Sequence, residues 1–149
     1  MIAFKSVRPL SNRFSLSGLS QPAYVKLNGF TEQGFIDVDG KRYNVEKYGP
    51  ASGFWTVEHN GLVVLSAEKN SALKRTFEIR NQSDLLTITA SSPFTRSFSL
   101  IRDGKNIGRI KPNHPLTRKG TINLEVSIDS LTLAFAFWLC AMSWRRAHG

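Results

Sequence analysis

The chain has 149 residues, 41% of them hydrophobic and 21% charged, and this composition excludes an intrinsically disordered chain. A chain of this length can bury a core, which predicts a single domain over residues 1–149. The 20 Lys and Arg against 11 Asp and Glu give a net charge of +9, which favours an anionic partner: lipid head groups, nucleic acid or an acidic protein. The alternative is a dispersed basic surface that only aids solubility.

Cysteine usage and the first residues bear on the cellular compartment. Cys140 is the only cysteine, which excludes an intramolecular disulfide and a cysteine-based metal site and fits a reducing compartment. The opening sequence, MIAFKSVRPLSNRF, lacks an apolar region of the length that a secretory signal needs. We therefore expect a cytoplasmic protein.

Between Asn12 and Ser127 the chain shows the pattern of β-strands nearly throughout, and residues 1–12 are predicted to be irregular. Shorter irregular segments are predicted at 18–22, 49–53, 70–73, 91–94 and 112–120, and none is long enough to mark a domain boundary. The eleven predicted strands lie near 13–17, 23–27, 35–38, 42–48, 54–59, 62–68, 74–80, 85–90, 96–102, 107–111 and 121–127.

Two hairpins carry clear alternation of apolar and polar residues. In GFIDVDGKRYNVEKY the side chains predicted to face inward are Ile36, Val38, Tyr43 and Val45. In FWTVEHNGLVVLSAE, Trp55 and Val57 share one side of the first strand. The return strand, Leu62 to Leu65, is apolar on both faces, which predicts that it is well covered.

Turn and bulge signals separate the strands. Three dipeptides accept the positive φ angles of tight hairpin turns: Asp39-Gly40, Asn60-Gly61 and Asp103-Gly104. NIGRI breaks the alternation of its strand, because Ile107 and Ile110 are three residues apart. Gly108 permits a bulge there, which would return both isoleucines to one face.

The end of the chain predicts a helix from about residue 129 to 146. Asp129 or Ser130 can cap its start, and Arg145 and Arg146 lie where the helix dipole favours cations. The apolar stretch Leu131–Trp144 has 14 residues, which in a helix span about 21 Å. A bilayer core is about 30 Å thick, so this stretch is too short for a simple span and favours a buried helix.

The helix is apolar on every side and must therefore be surrounded by other parts of the chain. A helix with its side chains is about 10–12 Å across, and a barrel of about 11 strands can enclose one. The sequence therefore predicts a mainly β protein: a closed antiparallel β-barrel of about 11–12 strands that encloses a C-terminal hydrophobic α-helix.

Three segments of the chain carry a resemblance to a known family. FIDVDGKRYNV looks like an early hairpin of the pattern D-x-x-G-x-x-x-x-V, and RSFSLIRDGKNIGRI looks like a later segment of the pattern F-x-L-x-x-x-G-x-x-I-G-x-I. LEVSIDSLTLAFAFWL is similar to a strand followed by a buried helix. Over residues 35–146 the chain thus resembles the tubby-like C-terminal superfamily, which includes tubby, LURP-one-related and phospholipid scramblase proteins. The resemblance implies a barrel threaded by its last helix, and membrane-associated roles through phosphoinositide or phospholipid contact.

The sequence departs from this family in its ligand-binding segments. Scramblases carry an acidic calcium-binding segment beside the helix, whereas residues 118–130 contain only Glu125 and Asp129, too few carboxylates for Ca²⁺. The cations that bind phosphoinositides in tubby proteins match no particular positions here, so none is carried over.

No catalytic or metal-binding motif is present in the sequence, which contains no G-x-S-x-G, P-loop or G-x-G-x-x-G. His59, His114 and His148 lie far apart in sequence and have no metal-ligand spacing, and His59, at a hairpin turn, is expected at the surface. Cys140 is expected to be buried in the helix and unreactive. We therefore expect a protein that is not an enzyme, with no cofactor and no metal.

The basic residues carry the functional prediction, because cations at strand ends that share one rim would form an anion-binding patch. The candidates are Lys74, Arg75, Arg102, Lys105, Arg109, Lys111, Arg118, Lys119, Arg145 and Arg146. The first hypothesis is a module that binds anionic phospholipid or phosphoinositide head groups peripherally, without spanning the bilayer.

The same charge permits other functions. A nucleic-acid-binding barrel is one alternative, although FTRSF and GFW do not form an interleaved stripe of basic and aromatic residues. A protein-interaction barrel is another, with a partner that the sequence does not identify. The third is a scramblase-like protein whose terminal helix inserts into the membrane.

Overall fold

The computed structural model describes residues 1–8, 11–49, 53–71, 74–82, 84–90, 92, 95–113 and 118–148, which form twelve β-strands and one α-helix. The strands are β1 (Ile2–Ser6), β2 (Arg13–Ser17), β3 (Ala23–Leu27), β4 (Gly34–Val38), β5 (Lys41–Lys47), β6 (Phe54–His59), β7 (Leu62–Glu68), β8 (Thr76–Asn81), β9 (Asp84–Ala90), β10 (Phe98–Arg102), β11 (Lys105–Pro112) and β12 (Lys119–Leu124). The helix is α1 (Ser130–His148), close to the predicted bounds.

The strands form a closed antiparallel barrel, which confirms the predicted fold class. Each strand pairs with its neighbours in sequence, and β1 pairs with both β2 and β12 and so closes the cylinder. Because consecutive strands run in opposite directions, their connections alternate between the two ends of the barrel. We call the end with the turns at 39–40, 60–61 and 103–104 the hairpin end, and the opposite end the loop end.

Helix α1 fills the barrel and runs from the hairpin end to the loop end. At its start, the Asp129 Oδ2 atom accepts hydrogen bonds from the Thr132 backbone N at 3.0 Å and from the Thr132 Oγ1 at 2.9 Å. From Leu133 to Cys140 every side chain is 0% exposed, since inward-facing strand residues surround the helix. Trp138 Nε1 donates to the Lys26 carbonyl oxygen at 2.9 Å and fixes the helix against β3. Within the described residues, no helix combines the length and the apolar character needed to cross a membrane.

The predicted turns and the predicted bulge are confirmed. Both residues of each turn have positive φ, as type I′ turns require: Asp39-Gly40, Asn60-Gly61 and Asp103-Gly104. The register of β10 and β11 shifts between Leu100 and Ile101, which makes Ile107 the additional residue of a bulge beside Gly108. As a result Ile107 and Ile110 both face the core.

The predicted irregular structure over residues 1–12 is wrong for β1. Phe4 is the one fully buried residue of this five-residue strand, so the strand lacks the repeated apolar positions by which longer strands are recognised. Its partner strand β12 lies at the far end of the sequence, as the pairing of Lys5 with Lys119 shows. Closure of the barrel, and not a local pattern, places residues 2–6 in the sheet.

The inward-facing residues predicted for the first two hairpins are buried, apart from half-buried Tyr43: Ile36, Val38, Val45, Trp55 and Val57. The prediction that Leu62 to Leu65 is well covered is wrong. Leu62 is 71% exposed, Val63 is 56% exposed and Val64 is 37% exposed, and only Leu65 is buried. The ladder with β8 begins at Ser66, so the first residues of β7 project past β8 at the hairpin end.

Candidate functional site

The described charged residues are distributed unevenly between the two ends of the barrel. The cations of the loop end are Lys5, Arg8, Arg13, Lys26, Lys47, Lys69, Lys74, Arg75, Arg96, Lys111, Arg118, Lys119, Arg145 and Arg146. The acids of the loop end are Glu32, Glu46, Glu68 and Glu78, the last of which lies directly opposite Glu68. At the hairpin end, acids at 37, 39, 58, 84, 103, 125 and 129 accompany cations at 41, 42, 80, 102 and 105. The positive charge of the protein is therefore concentrated at the loop end.

The sequence-predicted candidates fall into two groups. Those at the loop end are Lys74, Arg75, Lys111, Arg118, Lys119, Arg145 and Arg146. Arg109 faces outward in the middle of β11. Arg102 and Lys105 lie at the hairpin end, where an Arg102 Nη2 atom is 3.1 Å from Asp84 Oδ2. A single rim of all ten residues does not form, because β11 carries its cations along its whole length.

Two cations face each other in each of two cross-strand pairs of the loop end. Lys5 of β1 is directly opposite Lys119 of β12, and Arg13 of β2 is directly opposite Lys26 of β3. In each strand the neighbouring residue is buried, so all four side chains point outward. Facing like charges destabilise a sheet. The loop end therefore carries an electrostatic cost that a bound anion would relieve.

Glu32 neutralises two of the loop-end cations. Its Oε1 atom lies 2.5 Å from Lys47 Nζ and accepts a hydrogen bond from Arg146 Nη2 at 2.6 Å, and Arg146 Nε bonds its second oxygen. Burial by itself raises the pKa of Glu32, but the hydrogen bonds and charges of Arg146 and Lys47 outweigh it and lower the pKa to about 2. Glu32 is therefore ionised at neutral pH and ties the segment 28–33 to the end of α1.

A cavity of about 300 Å³ lies at the loop end, beside the last turns of α1. Its base is apolar and consists mainly of Phe4, Phe14, Leu27 and Trp144. All four of these side chains are at most 7% exposed, and the rings of Phe4 and Trp144 are 5.8 Å apart between centroids. The base is thus continuous with the aromatic core around α1.

Arginines from three separate segments surround the mouth of this cavity, and two of them are held by backbone carbonyl groups. Arg145 donates through Nη1 to the carbonyl of Asn28 and through Nη2 to the carbonyl of Thr31, the latter at 2.6 Å. Arg118 donates through Nη1 to the carbonyl of Ser11. Burial lowers the pKa of Arg145, Glu32 opposes this effect and Arg146 adds to it. Because backbone carbonyl groups hold them, Arg118 and Arg145 are already in position before any ligand binds.

Arg96 is the third arginine of the mouth, and sequence analysis missed both it and Trp144. Trp144 Nε1 donates to the Arg96 carbonyl oxygen at 2.8 Å, and the Arg96 guanidinium carbon lies 5.6 Å from the Trp144 ring centroid. Burial lowers the pKa of Arg96. In the sequence, Arg96 lies at the start of a predicted strand and Trp144 directly precedes Arg145. No local pattern indicates that these two residues are in contact.

The described residues offer no alternative site of metal or thiol chemistry. Among them, no group of three His, Cys, Asp or Glu side chains could hold a metal ion. His59 is half-buried, with Nδ1 3.1 Å from the Arg42 carbonyl oxygen, and His114 lies outside the described residues. Complete burial raises the pKa of the Cys140 thiol, which disfavours the reactive thiolate.

Comparison of the chain with protein-family models, with curated proteins and with solved structures gives no match. The resemblance to the tubby-like superfamily therefore stays a prediction, based on the three segments quoted above. The fold and the site define a barrel with an internal helix, a strongly basic loop end and a cavity at that end.

Proposed function

We propose that this protein is a non-enzymatic binding module that docks its loop end on membranes rich in anionic phospholipid head groups. One observation supports the proposal above all: the loop end gathers fourteen of the described cations and only four of the described acids. The facing pairs Lys5–Lys119 and Arg13–Lys26 strengthen it, because an anionic surface would relieve their repulsion.

The expected binding is reversible and sensitive to salt. Each Lys or Arg close to an anionic bilayer contributes about 1 kcal/mol, and the attraction falls off within a Debye length of about 10 Å at moderate salt. Several loop-end cations together therefore hold the protein at the surface without insertion. The hairpin end, with its mixed charges, would face away from the membrane.

Co-sedimentation with vesicles that contain increasing fractions of phosphatidylserine tests the proposal. Lys119 and Lys41 are matched residues, since each is exposed and is the first residue of its strand, one at the loop end and the other at the hairpin end. We expect Lys119→Gln to weaken binding about fivefold, the equivalent of about 1 kcal/mol, and Lys41→Gln to leave it unchanged. Equal effects of the two variants, or binding that ignores phosphatidylserine content and salt, would contradict the proposed orientation and function.

Nucleic acid is the main competitor for the same cations, since its phosphates are attracted by the same field. Mobility-shift titrations with DNA and RNA at the salt concentration of the vesicle assay compare the two ligands directly. Tighter binding to nucleic acid than to phosphatidylserine vesicles would replace the membrane proposal.

A further inference from the structure

The loop-end cavity has an apolar surface and a cationic surface, and neither a purely ionic nor a purely apolar ligand would match both. Its base is made of buried apolar side chains, and its mouth is made of arginines, with no Asp or Glu among the described residues that line it. An inorganic anion would leave the apolar base in contact with water, and a neutral hydrocarbon would form no charge-assisted hydrogen bond with the guanidinium groups of the mouth. A ligand with an anionic head and an apolar tail satisfies both.

We propose that this cavity binds one single-chain anionic amphiphile, such as a fatty acid or a monoalkyl phosphate. The anionic head lies on the guanidinium groups of Arg96, Arg118 and Arg145. The hydrocarbon lies against Phe4, Phe14 and Leu27. Carboxylate and phosphate share the chemistry that arginine recognises, namely two or more oxygens that accept charge-assisted hydrogen bonds.

The arrangement of the mouth favours binding because its cations are already ordered. Arg145 is held by two backbone carbonyls and Arg118 by one, and a guanidinium carries five N–H groups, so these bonds fix the side chains without exhausting their donors. The Trp144 indole is fixed by its bond to the Arg96 carbonyl. Ordering these side chains therefore costs little when the ligand binds.

The volume limits the ligand and separates this site from membrane docking. The cavity of about 300 Å³ is at the lower end of the range of ligand cavities, which is about 300–1,000 Å³. It admits part of one hydrocarbon chain and excludes a whole two-chain phospholipid. Binding of a dissolved amphiphile thus goes beyond the proposed docking function and does not depend on it.

Isothermal titration calorimetry with octanoate, decanoate and dodecanoate, each below its micelle-forming concentration, tests the proposal, with acetate as the anion without a tail. We expect one site per chain and an affinity that rises about fourfold for each methylene that enters the cavity. Acetate is expected not to compete. Decyl phosphate in a parallel titration shows which head group binds tighter, and a chain-length effect with either head supports the site. Affinity that is independent of chain length, or many weak sites per chain, would overturn it.

Variants locate the site. Ala141 lines the cavity and is 5% exposed, so Ala141→Leu fills part of it and is expected to weaken decanoate binding at least tenfold. Arg118→Gln removes an exposed cation of the mouth and is expected to weaken decanoate binding about tenfold while leaving binding of neutral decanol unchanged. Lys41→Gln at the hairpin end is the control and is expected to bind decanoate like the wild type.

The outcomes separate this inference from the docking proposal. Ala141→Leu is expected to keep its sedimentation with phosphatidylserine vesicles, because it removes no charge. Urea unfolding checks that each variant is folded, and if Ala141→Leu does not fold, the comparison of decanoate with decanol in Arg118→Gln decides. Wild-type affinity for decanoate in Arg118→Gln would refute the assigned site, whatever the vesicle assay shows.

Discussion

Replacing Glu32 with Gln tests how strongly the loop end is held to the helix that fills the barrel. The Glu32 carboxylate accepts hydrogen bonds from both Lys47 and Arg146. The backbone carbonyl oxygen of Glu32 accepts a hydrogen bond from Trp55 Nε1 at 3.0 Å. The carboxylate connects β5, the segment 28–33 and the last turn of α1. Its side chain is 19% exposed, so its interactions are only partly screened by solvent.

The expected magnitude follows from the pKa of Glu32, which lies at about 2 in the folded protein and at 4.5 in the absence of its partners. One pKa unit corresponds to about 1.4 kcal/mol, so the stabilisation from the Glu32 carboxylate is at most about 3 kcal/mol. Solvent screening around partly exposed Arg146 reduces this stabilisation to about 1–2 kcal/mol. Because the folded-state pKa is the lower one, this stabilisation is complete above pH 4.5 and is lost as the pH falls from 4.5 towards 2.

Urea unfolding of the wild type and of Glu32→Gln, at pH values from neutral down to 2, measures this effect. We expect the variant to be less stable by about 1–2 kcal/mol at neutral pH, and the difference to vanish as the pH approaches 2. Glu125→Gln, which changes an exposed acid at the hairpin end, is expected to have wild-type stability. A difference that stays constant at all pH values would refute the reasoning, since lost packing and not lost charge would then be its cause.

Two further predictions concern the strands. A Cβ at Gly34 would lie 1.9 Å from the Lys26 carbonyl oxygen, so Gly34→Ala is expected to lower the free energy of unfolding in urea by about 3 kcal/mol. The control is Gly29→Ala, where no heavy atom lies within 4 Å of the added Cβ, and it is expected to leave the free energy of unfolding unchanged. Lys5→Glu places an opposite charge across from Lys119 and is expected to stabilise the barrel by about 0.5 kcal/mol at low salt while weakening vesicle binding; a less stable variant would show that the facing lysines are not in repulsion.

Much of the fold could be predicted from the sequence because its signals are local. Alternation across Ile36 and Val38 marks a strand with one face in the core, and the all-round apolar character of Leu131–Trp144 requires an enclosure. The failures are non-local. Residues 2–6 join the sheet only through their distant partner β12, and Leu62 is exposed because β8 ends before it can cover the start of β7.

The candidate site was predictable only in part, for the same reason. Arg118 and Arg145 stand out as basic residues near the ends of predicted elements, but their shared cavity depends on how the closed barrel aligns its loops. Arg96 precedes a strand, which is an ordinary position for a surface arginine and does not indicate a binding site. Trp144 ends an apolar run, and such a position indicates burial and not the wall of a cavity.

Closure by β1 and β12, with α1 following β12, has a consequence for synthesis on the ribosome. A nascent chain that has reached Leu124 possesses all twelve strands but lacks the helix side chains against which their inward faces pack. Until Ser130–His148 emerges, the apolar inward faces of the strands remain in contact with water and are prone to aggregation. Protection by chaperones is therefore expected to matter most before this helix has emerged. The barrel therefore folds around a helix that is synthesised after β12, and a truncation within this helix is expected to expose the inward faces of strands all round the barrel.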